Sequence, residues 1–243
     1  MGRLRLGINI DHIATLRNAR GGTHPNPLAA LRLIGPAGGD GVTLHLREDR
    51  RHIRDADVEA VVEQSDLPVN LEMAATEEMV ATASRLKPHA VCIVPERRQE
   101  RTTEHGLDAR GLHNHLAPLV GRLRDAGCRV SLFIDPQEEQ LEVAADLGVP
   151  VVELHTGTYA ETRGDAREAE LERLRRGASL ATSLGIECHA GHGLTYDNVA
   201  KVAAIPELRE LNIGHFLIGQ ALFAGLVGSI QHMRLMMDQA RQP

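Results

Sequence analysis

The chain has 243 residues, a formal net charge of -6, a pI near 6.1, aromatic residues at only 2% and no Trp. That acidic balance excludes a general nucleic-acid surface, which needs a concentrated basic patch. MGRLRLGINID carries no signal pattern and no run reaches the roughly 18 apolar residues of a membrane span, so a cytoplasmic protein without a membrane partner is expected.

Taken in chain order, LGINIDH (6–12) alternates apolar with polar residues and predicts a strand, and a helical period follows over 25–38. The same alternation predicts strands at 42–47 and 69–74, with helices at 55–64 and 76–86. A strand at 89–96 leads into ERRQERTTEHGLDARG (96–111), too charged for a core and read as a long loop at a functional rim. Helices at 112–127, 137–148, 168–185, 197–205 and 220–240 then alternate with strands at 129–135, 151–157, 186–193 and 210–215. Gly127, Gly148 and Gly185 stand between a helical pattern and a strand, where a left-handed helix terminus is wanted.

Strict strand–helix alternation means a parallel sheet, and the length matches the roughly 250 residues of a (β/α)8 barrel. The expected fold class is therefore α/β, a TIM barrel, as one domain over 1–243. Leu, Val, Ile, Ala and Met must fill its core. Cys92, Cys128 and Cys188, odd in number and widely spaced, read as buried thiols in a reducing compartment.

Successive strand side chains point to opposite faces. Leu6, Ile8, Val42, Leu44, Leu71 and Met73 would face the helices, while Asn9, Asp11, His45, Arg47, Asn70, Glu72, Glu153, His155, His189 and Asn212 would line an enclosed lumen. Unpaired polar groups there cost roughly 2–7 kcal/mol each, so a polar ligand is implied. Active sites of such barrels lie at the C-terminal strand ends. There the sequence sets Asp11 and His12, His45 and Arg47, Glu72, Glu153 and His155, His189 and His192, and His215.

Gly193 and Gly214 follow the last two strands, where backbone N–H groups commonly hold phosphate. Arg20 and Arg47 suit bidentate phosphate contacts, whereas Arg17 reads as solvated. The only lysines, Lys87 and Lys201, sit on no strand end, which removes an enzyme-bound imine. No metal is expected, although a divalent-metal barrel using His45, Glu72, His189 and His192 is the competing reading, and a non-catalytic binder of phosphorylated metabolites is a third.

In order, INIDHIATLRNARGG, GVTLHLREDRRHI, LPVNLEMA, VPERRQERTTEHGLD, VELHTG, AGHGL and LNIGH make the chain resemble the pyridoxine 5'-phosphate synthase family nearly end to end. The resemblance implies a barrel with extra short helices, a homo-oligomer (an octamer built from dimers) and no cofactor. It implies that 3-amino-2-oxopropyl phosphate and 1-deoxy-D-xylulose 5-phosphate are joined to give pyridoxine 5'-phosphate, phosphate and water. His45 and Glu72 would be proton acceptors, His192 a proton donor and Glu153 a transition-state stabiliser. Asn9, Arg20, Gly193, Gly214 and His215 would hold the amino-ketone phosphate, and Asp11, His12, Arg47, His52 and Thr102 the sugar phosphate. The family pattern has Gly where this chain has His105, a departure that bears on loop flexibility and on no catalytic assignment.

Overall fold

A computed structural model describes residues 3–96 and 105–242. Its strands are β1 (Arg5–Asn9), β2 (Gly41–His45), β3 (Val69–Met73), β4 (Ala90–Ile93), β5 (Arg129–Ile134), β6 (Val151–His155), β7 (Glu187–Gly191) and β8 (Leu208–Ile213). All neighbours pair in parallel, and β8 returns to β1 with Leu6 opposite Leu211, closing the barrel. Between them run α1 (Asp11–Asn18), α2 (Pro27–Ala37), α3 (Asp55–Gln64), α4 (Glu77–Leu86), α5 (His113–Asp125), α6 (Glu138–Asp146), α7 (Gly157–Glu161), α8 (Gly164–Ser183) and α9 (Val199–Ala203). The chain ends in α10 (His215–Ala240).

Local chemistry explains the helix ends. Pro27 opens α2 while the Asn26 side chain accepts the Leu28 N–H at 3.0 Å, a proline entry behind an Asn cap. Thr76 caps α4 in the same way, accepting from Met79. Gly127, Gly148 and Gly185 all take positive φ where the chain leaves a helix for the next strand. The three cysteines are free and buried.

Four expectations need correction. Asp11 and His12 do not extend the first strand: Asn9 accepts the Asp11 N–H at 3.0 Å, turning the backbone into α1. Arg17 is not solvated; its guanidinium is buried in a two-pronged pair with Asp57, at 2.6 and 2.9 Å, and also bonds the His52 carbonyl. Within the charged stretch, Leu107 and Ala109 are buried and the Leu107 N–H donates to the Phe133 carbonyl at 2.7 Å, so 105–111 packs on the barrel. Residues 97–104 of that stretch lie outside the described residues. Finally, α10 is by length and composition able to cross a membrane, with mean hydropathy 1.3, although no apolar run predicted this. Gly225, at φ 72°, interrupts it, and Ile230, Met233 and Met237 are buried in the barrel's core cluster.

Outward strand residues meet the helices as the alternation requires. Leu6, Ile8, Val42, Leu44, Leu71 and Met73 are all essentially inaccessible. Leu44→Ala should therefore lower unfolding free energy by about 2–5 kcal/mol in urea titration, the cost of lost transfer energy plus a cavity. A loss under about 1 kcal/mol would mean that the site collapses freely.

Candidate active site

The inward faces stack in register. Glu72 lies opposite His45 on one side and Cys92 on the other, and Glu153 lies between Phe133 and His189. Asn212 is flanked by Gly7 and Gly191. Those glycines leave the volume that the polar side chains fill: a Cβ at Gly7 would strike the Asn212 amide, and one at Gly191 would strike the Glu153 carboxylate.

At the C-terminal mouth the polar groups form a connected set. Asp11 accepts the His45 N–H at 2.7 Å with one oxygen and the Asn9 amide at 3.0 Å with the other. The Asn9 amide also reaches Glu72 at 3.4 Å, and His45 Nδ1 stands 3.9 Å from the same Glu72 oxygen. Deeper in the lumen, Thr43 donates to Asn212, whose amide donates to Glu153 at 2.7 Å. Burial, reinforced by the charges of Asp11 and Glu153, pushes the Glu72 carboxyl well above its ordinary range. Burial likewise pushes Glu153 up to about 8, against the opposing hydrogen bond from Asn212. Each can therefore hold a proton that a solvated carboxylate would release, as acid–base work near neutrality requires.

Histidines line the other side. His192 follows β7 with φ 85°, a left-handed conformation that is strained for a side chain of its size. Thr156 braces it: its N–H donates to the Gly191 carbonyl at 2.8 Å, and its hydroxyl lies 2.7 Å from that carbonyl and 2.5 Å from His192's. Burial, with the nearby His155, His215 and His12, lowers His192 to about 4. His12 packs edge-on against His215 at 4.5 Å, and His155 lies 5.1 Å from His192 with its Nδ1 at 3.2 Å from Asp135. His12 and His52 are both lowered, by burial first.

The structure brings Asn9, Asp11, His45, Glu72, Glu153 and His192 to one mouth, with His12 and His215 beside them. Gly214 abuts the Asn9 side chain, and Gly193 takes φ 75° in a loop whose carbonyl is held by Asn198. Arg47 is buried and lies 3.9 Å from Asp49, and the His52 ring stands 6.1 Å from His45's. Arg20 is exposed beyond the end of α1, and Thr102 lies outside the described residues.

His189 does not belong to this set. It sits toward the N-terminal mouth, 2.7 Å from Glu187 and 3.0 Å from Arg5. The competing ligand set of His45, Glu72, His189 and His192 is thereby split. Asp11, His45 and Glu72 do offer ligand atoms within 4.8 Å of one another. A cavity of about 380 Å³ opens at the N-terminal mouth among Arg5, Arg129, Glu187, His189 and Glu210. Its charges are largely spent on one another through Arg5–Glu210 at 2.7 Å and Arg129–Glu187 at 2.9 Å. Glu96, Thr156 and Asp135 escaped the sequence reading. Thr156 and Asp135 stand just beyond their strands, a position that could have flagged them.

Two outcomes test this geometry. A carboxyl raised in the folded state contributes stability that is present below its ordinary value of 4.5 and lost as pH rises through about 8. The thermal midpoint of Glu153→Gln, relative to the unmodified protein, should therefore climb from about pH 5 to about pH 9; a flat difference would contradict a protonated Glu153. Thr156→Val, which removes the hydroxyl but keeps the shape, should cost about 1–3 kcal/mol of stability in denaturant titration.

Over residues 6–239 the chain matches the family described as pyridoxal phosphate biosynthesis protein PdxJ. It is 60% identical over 238 residues to the pyridoxine 5'-phosphate synthase of Rhodospirillum rubrum, covering 98% of this chain and 96% of that protein. It is 59% identical over 239 residues to the protein of the same name in Zymomonas mobilis subsp. mobilis, covering 98% and 93%. Among solved structures it resembles a "Native KDPGal structure" (TM-score 0.65, 14% identity, 100% and 98% covered). It also resembles a phosphoribosyl anthranilate isomerase from Thermus thermophilus (TM-score 0.61, 14% identity, 98% and 100% covered). At such identities these two share the barrel alone. Matched along nearly its whole length, this chain belongs to the PdxJ family of pyridoxal phosphate biosynthesis proteins.

Proposed function

We infer that this chain is a pyridoxine 5'-phosphate synthase of vitamin B6 biosynthesis. It condenses 3-amino-2-oxopropyl phosphate with 1-deoxy-D-xylulose 5-phosphate to pyridoxine 5'-phosphate, phosphate and water. The observation that carries the residue-level reading is the convergence of His45, Glu72, Glu153 and His192, from four separate strands, on one enclosed mouth. The amine of one substrate and the ketone of the other form the imine between themselves, so the lack of a lumen lysine is no obstacle. Lys201 is engaged with Glu168, and Lys87 ends α4.

In this reading His45 and Glu72 take protons from the condensing substrates, Glu72 after passing on the one that its burial retains, His192 delivers one to a departing oxygen, and Glu153 stabilises the charge that develops between them. A phosphate arriving beside His192 favours the ring's charged form, so loading the donor is coupled to substrate binding. Asn9, Arg20, Gly193, Gly214 and His215 hold the amino-ketone phosphate; Asp11, His12, Arg47, His52 and Thr102 hold the sugar phosphate. Each acid or base contributes about 10² to 10⁴ in rate, and joint orientation of two reactants roughly 7–11 kcal/mol.

The protein works as a homo-oligomer, an octamer built from dimers, in keeping with the exposed Leu222 and Phe223 on α10. It acts in the cytoplasm, in keeping with its three free cysteines. Supplying both substrates should yield pyridine absorbance together with released phosphate. Glu72→Gln and His192→Ala should each cut kcat at least about 100-fold with the circular dichroism unchanged. Near-normal turnover in both would remove the roles assigned to them.

A further inference from the structure

Glu96 stands three residues beyond β4, at the head of the charged stretch that the sequence reads as a rim loop, and its side chain is only 5% exposed. One carboxylate oxygen lies 2.7 Å from His45 Nε2, and the other accepts the Glu48 backbone N–H at 3.1 Å. Both oxygens are thus engaged, one with the ring and one with the loop that carries Arg47. Burial by itself would raise this carboxyl; its hydrogen bonds to His45 and to the Glu48 N–H, with the charge of Arg47, outweigh that and hold it below the ordinary range.

An ionised carboxylate only accepts hydrogen bonds. In the neutral ring the nitrogen facing Glu96 therefore carries the proton, which leaves Nδ1 as the lone-pair nitrogen, turned toward Glu72. The backbone of the same histidine is held independently by Asp11. We propose that Glu96 is the positioning residue of His45, fixing the Nε2–H tautomer and presenting Nδ1 to the substrates. The logic is that of an acid–histidine pair, in which a buried carboxylate sets tautomer and ring orientation without entering the reaction. This rests on the role of His45 proposed above and adds the group that makes a neutral imidazole a base at the correct nitrogen.

Neutron diffraction from the perdeuterated, unliganded protein reads the tautomer directly, with no turnover needed. In crystals held at alkaline pD, a deuteron on His45 Nε2 and none on Nδ1 is expected, and a deuteron on Nδ1 overturns the proposal. Glu96→Gln keeps the shape and an acceptor oxygen but offers an amide that can also donate, so either tautomer becomes available. Its kcat should fall between about 10- and 1,000-fold, while KM for both substrates stays within about two-fold. An unchanged kcat, or a loss confined to KM, overturns the assignment. The two readouts separate the claims. If the unmodified protein forms no product, the synthase reading fails while the deuteron map still decides the tautomer. If it turns over and the map shows Nδ1 occupied, only the positioning role falls.

Discussion

A closed barrel gives its inward side chains no bulk water to face, and taking a carboxylate out of water costs several kcal/mol unless partners replace the lost hydration. This cost organises the lumen. Glu72 and Glu153 meet it by retaining protons: the hydrogen bonds they accept come from the Asn9 and Asn212 amides, and burial dominates both shifts. The glycines at positions 7 and 191 leave Glu153 and Asn212 room in the lining. Groups kept protonated by their surroundings, set beside an imidazole, are what successive proton transfers and dehydrations require.

The same residue type behaves oppositely at the other mouth. Glu187 hydrogen-bonds His189, Arg5 and Arg129, and these bonds hold it well below the ordinary carboxylate range despite its burial. Charge there is neutralised by protein partners, so the lining is stable but chemically spent. At the C-terminal mouth Glu72 and Glu153 are met by the Asn9 and Asn212 amides, and these two acids are left poised. Partner choice decides whether a glutamate pairs, as Glu187 and Glu96 do, or titrates.

Neighbouring side chains then fix the groups proposed to react. Asp11 grips the His45 backbone and Glu96 its ring, while Thr156 holds the strained turn that aims His192. Buried Arg17 with Asp57 ties α1 to α3 beneath the loop bearing His52. In each case a short polar side chain or a charge pair holds a group whose geometry would otherwise be loose, and preorganisation of this kind is where orientation effects in catalysis originate.

Period-two alternation was enough to expose the barrel, because every strand buries one apolar face against helices and one polar face inward, and a one-residue slip would exchange them. The glycine helix ends and the inward set Asn9, His45, Glu72, Glu153 and Asn212 were legible for the same reason. Less legible were features that depend on contacts distant in the chain. Asp11 and His12 continue the alternation of β1 but begin α1, because Asn9 turns the backbone. Arg17 looks solvated until Asp57 is brought to it, and His189 reads as a C-terminal partner of His192 until β7 is placed in register and its ring meets Arg5.

The sequence by itself determined the fold, the polar lumen and the residue types at its mouth, since alternation and helical period are local properties of the chain. Tertiary structure alone decided which acids keep their protons and which pair. It alone made Glu96 a buried neighbour of His45, since both depend on distances between strands far apart in the chain.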